Sequence, residues 1–336
     1  MQVENWKTVQ IHGTEILLGG EPYLASRIAE YLGLLYKGEA SSKAAKLKLE
    51  VNFAKRPPRL PPDATKAVQG PYACSYGWGE KVLFVSRDGN SMISLDAARG
   101  EASGFFDKEF SEDSQQFFSI LGMTLVEALK YQALYFLHGA CVYGNGRAYL
   151  FSGHSGAGKT TAAFNLVRQG FQFVADDSLF LSDQDGKIVV SPYYTNFHVD
   201  ANLVRRCPEI VGARELNDRE RGFARMRVNM SELYPDSFVP SLRPDLVIFP
   251  QIVSSGTSSF SAINQMTVYE RFLKQTILAV DVEIAKDQLR VLEKLARQIR
   301  GFDLFTGPDM YEDPKILPAL LERMKDHNGN SKEIER

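Results

Sequence analysis

A nine-residue stretch, GHSGAGKTT at Gly153–Thr161, constrains this chain more than any other segment. It fits the P-loop pattern G-x-x-x-x-G-K-[ST] without substitution. Such a loop needs glycines because its backbone takes positive φ angles and curls its N–H groups around a phosphate. Lys159 supplies positive charge for the β- and γ-phosphates, and the Thr160 hydroxyl is suited to Mg²⁺. We therefore expect ATP and Mg²⁺ at this loop.

The flanking residues provide the strand and the helix that a P-loop requires. Residues 147–152 (RAYLFS) form a short apolar run typical of a strand. The residues after the loop place Ala163, Phe164 and Val167 on one helical face, and Gly170 is suited to end that helix. Nucleotide contacts are accordingly expected from the whole loop, which comprises Gly153, His154, Ser155, Gly156, Ala157, Gly158, Lys159, Thr160 and Thr161.

Two acidic residues follow the next predicted strand. Residues 171–175 (FQFVA) are apolar and lead directly to Asp176 and Asp177. Carboxylates that follow a strand after a P-loop are placed to hold Mg²⁺ or to act as a base in phosphoryl transfer. A hairpin is expected next, with 179–181 and 187–190 paired across a turn.

A further hairpin is predicted before the loop. Residues 136–143 (FLHGACVY) and 147–152 are expected to pair across the Gly-Asn-Gly turn at 144–146. His138 then lies near the start of the first strand of this hairpin, and the second strand leads into the loop. From sequence it is either a structural histidine or a residue of the site.

Two other polar patterns leave alternatives open. The basic run 219–227 (RERGFARMR) is either a solvated face or a source of arginines for phosphate. Arg225 and Arg227 point the same way if that segment is extended, so we include both among the candidate nucleotide contacts. His198 and Asp200 also share a face in an extended segment and are candidates for binding a metal or an acceptor.

Composition narrows the class of partner. The 336 residues carry a net charge of -2 and are 44% hydrophobic, which gives no electrostatic case for nucleic acid or an anionic membrane. No apolar run reaches the length of a membrane span, and the polar start does not resemble a signal peptide. The three cysteines form no metal or disulfide pattern. A cytoplasmic protein is expected, and assembly into a homo-oligomer stays open.

The chain is expected to divide into three parts: a mixed N-terminal domain over 1–110, a P-loop domain over 111–325 and a polar tail over 326–336. A long helix over 111–134, capped by Ser111, is expected to pack on the sheet of the P-loop domain. The Lys-rich and then Pro-rich segment 40–66 is predicted as a loop or linker. Periodicity predicts the remaining elements, namely a strand at 16–18, a helix over 23–35, a β-meander through 72–78, 82–86, 91–95 and 103–106, a strand at 246–249, and helices over 267–278 and 285–301.

With His138-Gly139, the P-loop and Asp176-Asp177 in this order, the chain resembles the catalytic domain of HPr kinase/phosphorylase and its relatives, which include lasso-peptide kinases. The resemblance covers residues 130–305 and is strongest over 136–182. In that family the His-Gly pair lies 21 residues before the P-loop lysine, and the Asp pair begins 17 residues after it, as here. The implied fold is α/β, with an HPr-kinase/phosphoenolpyruvate-carboxykinase-type P-loop core of mixed β-structure and a separate mixed α+β N-terminal domain.

The resemblance also implies a role for each site residue. Asp176 would be the base that takes the proton from an acceptor hydroxyl, whereas Asp177 and Thr160 would hold Mg²⁺. His138 would lie beside the phosphates and help to orient the aspartates. Lys159 is counted with them as a catalytic residue, because the P-loop motif gives it the charge for the β- and γ-phosphates. The implied activity is ATP-dependent transfer of the γ-phosphoryl group to a Ser or Thr hydroxyl.

One part of the family pattern is missing. HPr kinase/phosphorylases carry a Glu-Arg-Gly-x-Gly signature soon after the Asp pair, and this chain reads YYTNFHVD at 193–200 instead. HPr is therefore not expected as the acceptor, and we expect a peptide or small protein. Two alternatives stay open, a kinase for a metabolite hydroxyl and a non-catalytic ATP-binding regulatory module.

Overall fold

The computed structural model describes residues 6–38, 46–56, 58–70, 72–212, 217–218, 225–254 and 256–326. The chain divides into two compact units, the first formed by Met1–Tyr135 with Leu278–Gln288 and the second by Phe136–Ile277 with Leu289–Arg336. The protein is of mixed α/β class, and each unit contains one large mixed sheet. The polar tail proposed over 326–336 lies almost wholly outside the described residues.

The first unit is built on an eight-stranded sheet with the order β1-β2-β3-β8-β7-β6-β5-β4. Its strands are β1 Lys7–Ile11, β2 Thr14–Gly20, β3 Lys46–Phe53, β4 Thr65–Gln69, β5 Ala73–Trp78, β6 Lys81–Ser86, β7 Met92–Asp96 and β8 Glu101–Phe106. Its helices are α1 Pro22–Gly33, α2 Lys108–Glu112 and α3 Ser114–Lys130. Only β3 is parallel to both of its neighbours, and the other pairs are antiparallel. The predicted helix over 23–35 and the predicted meander are both confirmed.

The prediction of a loop or linker over 40–66 is wrong for its middle part, which is the strand β3. Leu47, Leu49 and Val51 are buried and alternate with exposed charged residues, which is the two-residue period of a strand with one wet face. The lysines that suggested a linker are the solvent-facing half of this pattern. Proline interrupts the chain only after the strand has ended.

The single helix predicted over 111–134 is in fact two helices. Helix α2 ends before Asp113, whose extended backbone breaks the helix and whose side chain accepts hydrogen bonds of 3.0 Å from the backbone N–H groups of Gln115 and Gln116. Ser111, the predicted cap, is instead buried within α2. Phe117 of α3 packs on Phe106 of β8 with a ring-centroid distance of 4.9 Å, so α3 covers the sheet of the first unit.

The second unit contains the P-loop. Its strands, in chain order, are β9 Tyr135–Gly144, β10 Arg147–Ser152, β11 Gln172–Ala175, β12 Ser178–Gln184, β13 Lys187–Pro192, β14 Asn196–Asp200, β15 Asn217–Asp218, β16 Arg225–Asn229, β17 Leu246–Ile252, β18 Ser259–Ile263 and β19 Arg300–Thr306. The main sheet has the order β13-β12-β9-β10-β17-β19-β18, with β11 paired to β9, and a small second sheet has the order β14-β16-β15. The predicted hairpins β9–β10 and β12–β13 are confirmed.

The helical segments after α3 are α4 Lys159–Arg168, α5 Ala201–Arg206, a 3₁₀ turn at Pro208–Gly212, α6 Met230–Leu233, α7 Gln265–Leu273, α8 Val282–Gln298, α9 Asp309–Glu312 and α10 Ile316–Asp326. The predicted helices over 267–278 and 285–301 correspond to α7 and α8, but both end earlier than expected. Residues 300 and 301 already belong to β19, because Phe302 and Leu304 continue a strand that is buried in the sheet.

One core cluster fixes the P-loop helix to the main sheet. Tyr149 and Phe151 of β10 point to the same face as Ile248 of β17, and this face packs on Ala163 and Phe164 of α4. The apolar helical face predicted after the loop is therefore confirmed.

The sheet topology brings three distant segments to one edge. Strands β10 and β17 are parallel, so their carboxyl ends lie together. Strand β9 is antiparallel to β10, and Gly139 lies opposite Ser152 at the beginning of the P-loop. Strand β11 is antiparallel to β9, and Ala175 lies opposite Cys141. These pairings place the His-Gly pair, 21 residues before Lys159, and the Asp pair, which begins 17 residues after it, at the same edge as the P-loop.

Candidate functional site

The P-loop joins the carboxyl end of β10 to the first residue of α4. Gly153, Gly156 and Gly158 have φ values of 142°, 83° and 98°, which residues with a Cβ atom rarely adopt. Gly158 caps α4 without a side-chain hydrogen bond, and the first turn of the helix carries no acidic residue. The positive end of the helix therefore has no side-chain cap and no acidic residue beside it, an arrangement that suits an anion.

Lys159 is folded back onto its own loop. The side chain is 5% exposed, and Nζ donates to the carbonyl oxygens of Gly153 at 2.8 Å and His154 at 2.9 Å. These two bonds close the loop into a ring around the ammonium group. The side chains of His154 and Ser155 lie on the exposed outer rim.

Thr160 is hydrogen-bonded to Asp176. The threonine hydroxyl donates to Asp176 Oδ1 at 2.8 Å, and the backbone N–H of His198 donates to Asp176 Oδ2 at 3.1 Å. Burial, with a smaller contribution from the Asp177 charge, raises the pKa of Asp176 to about 7. The two hydrogen bonds and the Lys159 charge act in the opposite direction, because they favour the ionised carboxylate.

Asp177 takes a left-handed backbone conformation, with a φ of 68°. Aspartate tolerates this region better than most residues. The Asp177 carbonyl oxygen accepts hydrogen bonds from the Gly139 backbone N–H at 3.2 Å and from His138 Nδ1 at 2.7 Å. A carbonyl oxygen can only accept, so His138 carries a hydrogen on Nδ1. The Asp177 side chain is 31% exposed, and Oδ1 lies 3.6 Å from the same imidazole nitrogen.

A pocket of about 350 Å³ lies over this cluster. It is lined by Ser155, Gly156, Gly158, Lys159, Thr160, Thr161, Asp177, His198, Asp200, Asn202, Leu203, Arg206 and Ile252. The structure thus brings the P-loop, one of the two aspartates and the His198/Asp200 pair into one concavity. The carboxylate of Asp200 also accepts from the Leu203 backbone N–H at 2.8 Å, and so caps α5.

Sequence reasoning did not identify four of these lining residues. Asn202, Leu203 and Arg206 reach the pocket from α5, and Ile252 reaches it from the end of β17. The Asp200 cap was a readable signal for a helix beginning at residue 201. No sequence signal near residue 201 indicates that this helix lies beside the P-loop.

The two predicted arginines lie on strand β16, opposite the other polar pair. In the β14–β16 ladder Arg227 is paired with His198 and Arg225 with Asp200, so Arg227 and His198 share one side of the small sheet. The Arg227 guanidinium lies over the ring of Tyr194, 5.9 Å from its centroid, and the described lining of the pocket does not include it. Of the remaining basic run, 219–224 lies outside the described residues.

The oxygen ligands at the site fit Mg²⁺ better than a transition metal. Among the described residues, no group of three or more His, Cys, Asp or Glu side chains is placed to hold a metal ion. Mg²⁺ does not require such a group, since it commonly binds through one or two carboxylates together with substrate phosphates and water. A threonine hydroxyl beside a buried carboxylate is a donor set of that kind.

Comparisons with known proteins give a partial sequence relationship. No family model matches the chain. It is 39% identical over 61 residues to the HPr kinase/phosphorylase of Clostridium tetani, which is 18% of this chain and 20% of that protein. It is 38% identical over 53 residues to the HPr kinase/phosphorylase of Clostridium beijerinckii, which is 16% of this chain and 18% of that protein. The matched part therefore spans about a fifth of the length of these curated relatives.

Among solved structures, the HPr(Ser) kinase/phosphatase from Coxiella burnetii is similar over 56% of this chain and 95% of its own, at 11% identity. The TM-score of 0.32 is too low to carry an argument about the fold. Within the part of the chain that the structure describes, no helix is long and apolar enough to cross a membrane. By sequence, and over part of its length, the chain is a distant relative of the HPr kinase/phosphorylases.

Proposed function

We propose that this protein is a Mg²⁺-dependent kinase that transfers the γ-phosphoryl group of ATP to a Ser or Thr hydroxyl of a peptide or small protein. The observation that carries the proposal is the pair of adjacent carboxylates at the P-loop. Asp176 is bonded to the P-loop hydroxyl of Thr160, and Asp177 lines the same pocket. A protein that only senses nucleotide needs a group near the metal, but it does not need a second carboxylate in the pocket.

The P-loop residues account for the binding of the donor. Loop N–H groups and the start of α4 bind the phosphates, and Lys159 exchanges its carbonyl partners for phosphate oxygens. Thr160 and one of the two aspartates would hold Mg²⁺, which would neutralise phosphate charge. Catalysis then consists mainly of positioning and charge stabilisation. The distant sequence relationship supports a kinase core of the HPr-kinase/phosphoenolpyruvate-carboxykinase type.

The rim of the pocket favours a large acceptor over a metabolite. Ser155, Asp200, Asn202 and Arg206 are exposed, and Ile252 leaves 53% of its surface in solvent. An enclosed site would bury these residues, because small-molecule sites cover most of their ligand. A peptide laid across the rim can present one hydroxyl to the aspartates below. The missing family signature at 193–200 gives no reason to propose HPr itself as this acceptor.

Labelling of the host proteome tests the proposal. The protein is incubated with Mg²⁺, γ-labelled ATP and size-fractionated lysate of its own host, beside Lys159→Ala and a matched surface control, Lys187→Ala. We expect label in a peptide or protein fraction with the wild type and the control, and none with Lys159→Ala. Label in the metabolite fraction would instead indicate a small-molecule kinase. Retention of all label on ATP would indicate a regulatory nucleotide-binding module.

A further inference from the structure

The two neighbouring aspartates have opposite surroundings. Asp176 is completely buried, and both of its carboxylate oxygens already accept hydrogen bonds, from the Thr160 hydroxyl and the His198 backbone N–H. The described lining of the pocket includes Asp177 but not Asp176. A hydroxyl that enters the pocket therefore meets Asp177 first.

The contact between Thr160 and Asp176 is the one expected on the metal side of a P-loop. In P-loop enzymes, Mg²⁺ is held by the loop Ser or Thr together with an aspartate at the end of a neighbouring strand. Asp176 directly follows β11 and lies 2.8 Å from the loop hydroxyl. If the Thr160 hydroxyl turned its proton away from Asp176, its oxygen and Asp176 Oδ1 would both be able to face one Mg²⁺ ion.

Asp177 is held so that its carboxylate faces the opening. Its left-handed backbone is fixed through the carbonyl oxygen, which accepts from both the Gly139 backbone and the His138 ring. The side chain on the same residue stays 31% exposed. A rigid backbone with an accessible carboxylate is what a residue needs to meet an incoming hydroxyl in one orientation.

We propose that the resemblance-based roles of the two aspartates are exchanged in this protein: Asp176 is the carboxylate on the Mg²⁺ side, and Asp177 is the base that receives the acceptor proton. This assignment rests on the proposed kinase function. His138 is a positioning residue, because its Nδ1 donates to the Asp177 carbonyl oxygen at 2.7 Å, whereas the Asp177 carboxylate oxygen Oδ1 lies 3.6 Å from that nitrogen, beyond hydrogen-bond distance.

The transfer step balances with these roles. The acceptor hydroxyl oxygen forms a bond to the γ-phosphorus of ATP, while the bond from that phosphorus to the β–γ bridging oxygen breaks. The bridging oxygen leaves with the electron pair as part of ADP. The hydroxyl proton passes to the Asp177 carboxylate, which returns it to water after the phosphorylated product has left.

The test separates metal binding from transfer. Affinity for a fluorescent ATP analogue is titrated with and without Mg²⁺ for wild type, Asp176→Asn and Asp177→Asn, and transfer to the labelled acceptor fraction is timed in parallel. Asparagine keeps the size of aspartate and can accept the Thr160 hydrogen bond, so both variants should fold. Asp236→Asn is the matched control, because Asp236 is exposed and has a φ of 66°, close to that of Asp177.

For Asp176→Asn we expect the tightening of nucleotide binding by Mg²⁺ to fall by about tenfold or more. For Asp177→Asn we expect Mg²⁺-dependent nucleotide binding within about twofold of wild type, together with a loss of about 10²–10⁴-fold in transfer rate, the usual contribution of a general base. His138→Gln should reduce transfer less than Asp177→Asn and leave nucleotide binding unchanged.

The reverse pattern overturns the assignment. That pattern is an Asp177→Asn protein that loses the Mg²⁺ effect together with an Asp176→Asn protein that keeps it. A wild-type protein that binds Mg²⁺ and nucleotide but labels no acceptor overturns the kinase proposal and the base role of Asp177. In that case the titration still decides the metal role of Asp176, so the two failures are distinguishable.

Discussion

The hydroxyl of Thr160 donates a 2.8 Å hydrogen bond to Oδ1 of Asp176, a residue that follows it by 16 positions and lies directly after strand β11. This bond joins the P-loop to the aspartate pair without any bound ion. It also gives the hydroxyl a fixed direction before nucleotide arrives. In the proposed function these two groups are on the Mg²⁺ side of the site, and the bond already holds them together.

Mg²⁺-dependent nucleotide binding should depend on the hydroxyl of Thr160 more than on the size of its side chain. Thr160→Val keeps the shape of the residue but removes the hydroxyl, and we expect it to weaken Mg²⁺-dependent nucleotide binding by about tenfold, or about 1.4 kcal/mol. Thr160→Ser, which retains the hydroxyl, should stay close to wild type. Nucleotide titration with and without Mg²⁺ measures both variants. If Mg²⁺ tightened nucleotide binding equally in Thr160→Val and wild type, the Thr160 hydroxyl would not be a metal ligand.

Rising pH should destabilise the nucleotide-free protein through Asp176. Its pKa is raised from 3.8 to about 7, chiefly by burial, so between these values the folded state binds more protons than the unfolded state. This contribution to stability is complete below the unfolded-state pKa and is lost as the pH rises through the folded-state pKa. The melting temperature should therefore fall more steeply across this window in wild type than in Asp176→Asn, whose amide does not titrate. Parallel melting profiles in metal-free buffer would contradict the raised pKa.

A buried ion pair should control the stability of the first unit. Lys130 Nζ lies 2.6 Å from Glu127 Oε2, with both side chains buried, and Glu127 Oε1 also accepts from the Val280 backbone N–H. Burial lowers the pKa of Lys130, although the neighbouring Glu127 acts to raise it. Glu127→Gln leaves the ammonium group buried without its counter-charge, which we expect to cost about 3–5 kcal/mol.

The double variant provides the control for this pair. Lys130→Met together with Glu127→Gln removes both charges while keeping an acceptor for Val280, so it should recover most of the lost stability. Thermal unfolding of wild type, Glu127→Gln and the double variant gives the comparison. A double variant whose loss equals or exceeds the Glu127→Gln loss would show that the pair is not the source of the effect.

Glycine should be needed at position 158 because of the backbone conformation there, and not because a side chain would lack space. A Cβ atom there would come no closer than 3.8 Å to Ile252, but the φ of 98° disfavours any residue other than glycine. We expect Gly158→Ala to cost about 1–2 kcal/mol of folding free energy and to weaken nucleotide binding. Gly33→Ala in α1 is the matched control, because nothing lies within 4 Å of the added atom. Similar melting temperatures for the two variants would argue against strain at the loop.

Sequence reasoning was most effective where the signal is local. The glycines of the P-loop, the turn at 144–146 and the apolar strand before Asp176 each specify a conformation within a few residues. It failed at β3, where exposed lysines hid a two-residue period, and at Asp113, where an N-cap inside a helical pattern divides one helix into two.

Pairings between distant segments could not be predicted. His198 faces Arg227 because β14 and β16 are adjacent in the small sheet, and the 28 residues between them carry no indication of this register. Arg206 and Ile252 enter the pocket from separate elements. The difference in burial between Asp176 and Asp177 is likewise a property of the packed sheet, since the two residues are chemically identical and adjacent in sequence.

Phosphoamino-acid analysis of the labelled acceptor tests the central claim most directly. The acceptor fraction is incubated with γ-labelled ATP, Mg²⁺ and either wild type or Asp177→Asn, and the labelled material is hydrolysed and separated. Phosphoserine or phosphothreonine that forms with wild type and falls by about 10²-fold or more with Asp177→Asn is the expected result. Label found only as inorganic phosphate with wild type would contradict the proposed kinase chemistry. Phosphoamino acids formed equally by both proteins would contradict the base role of Asp177.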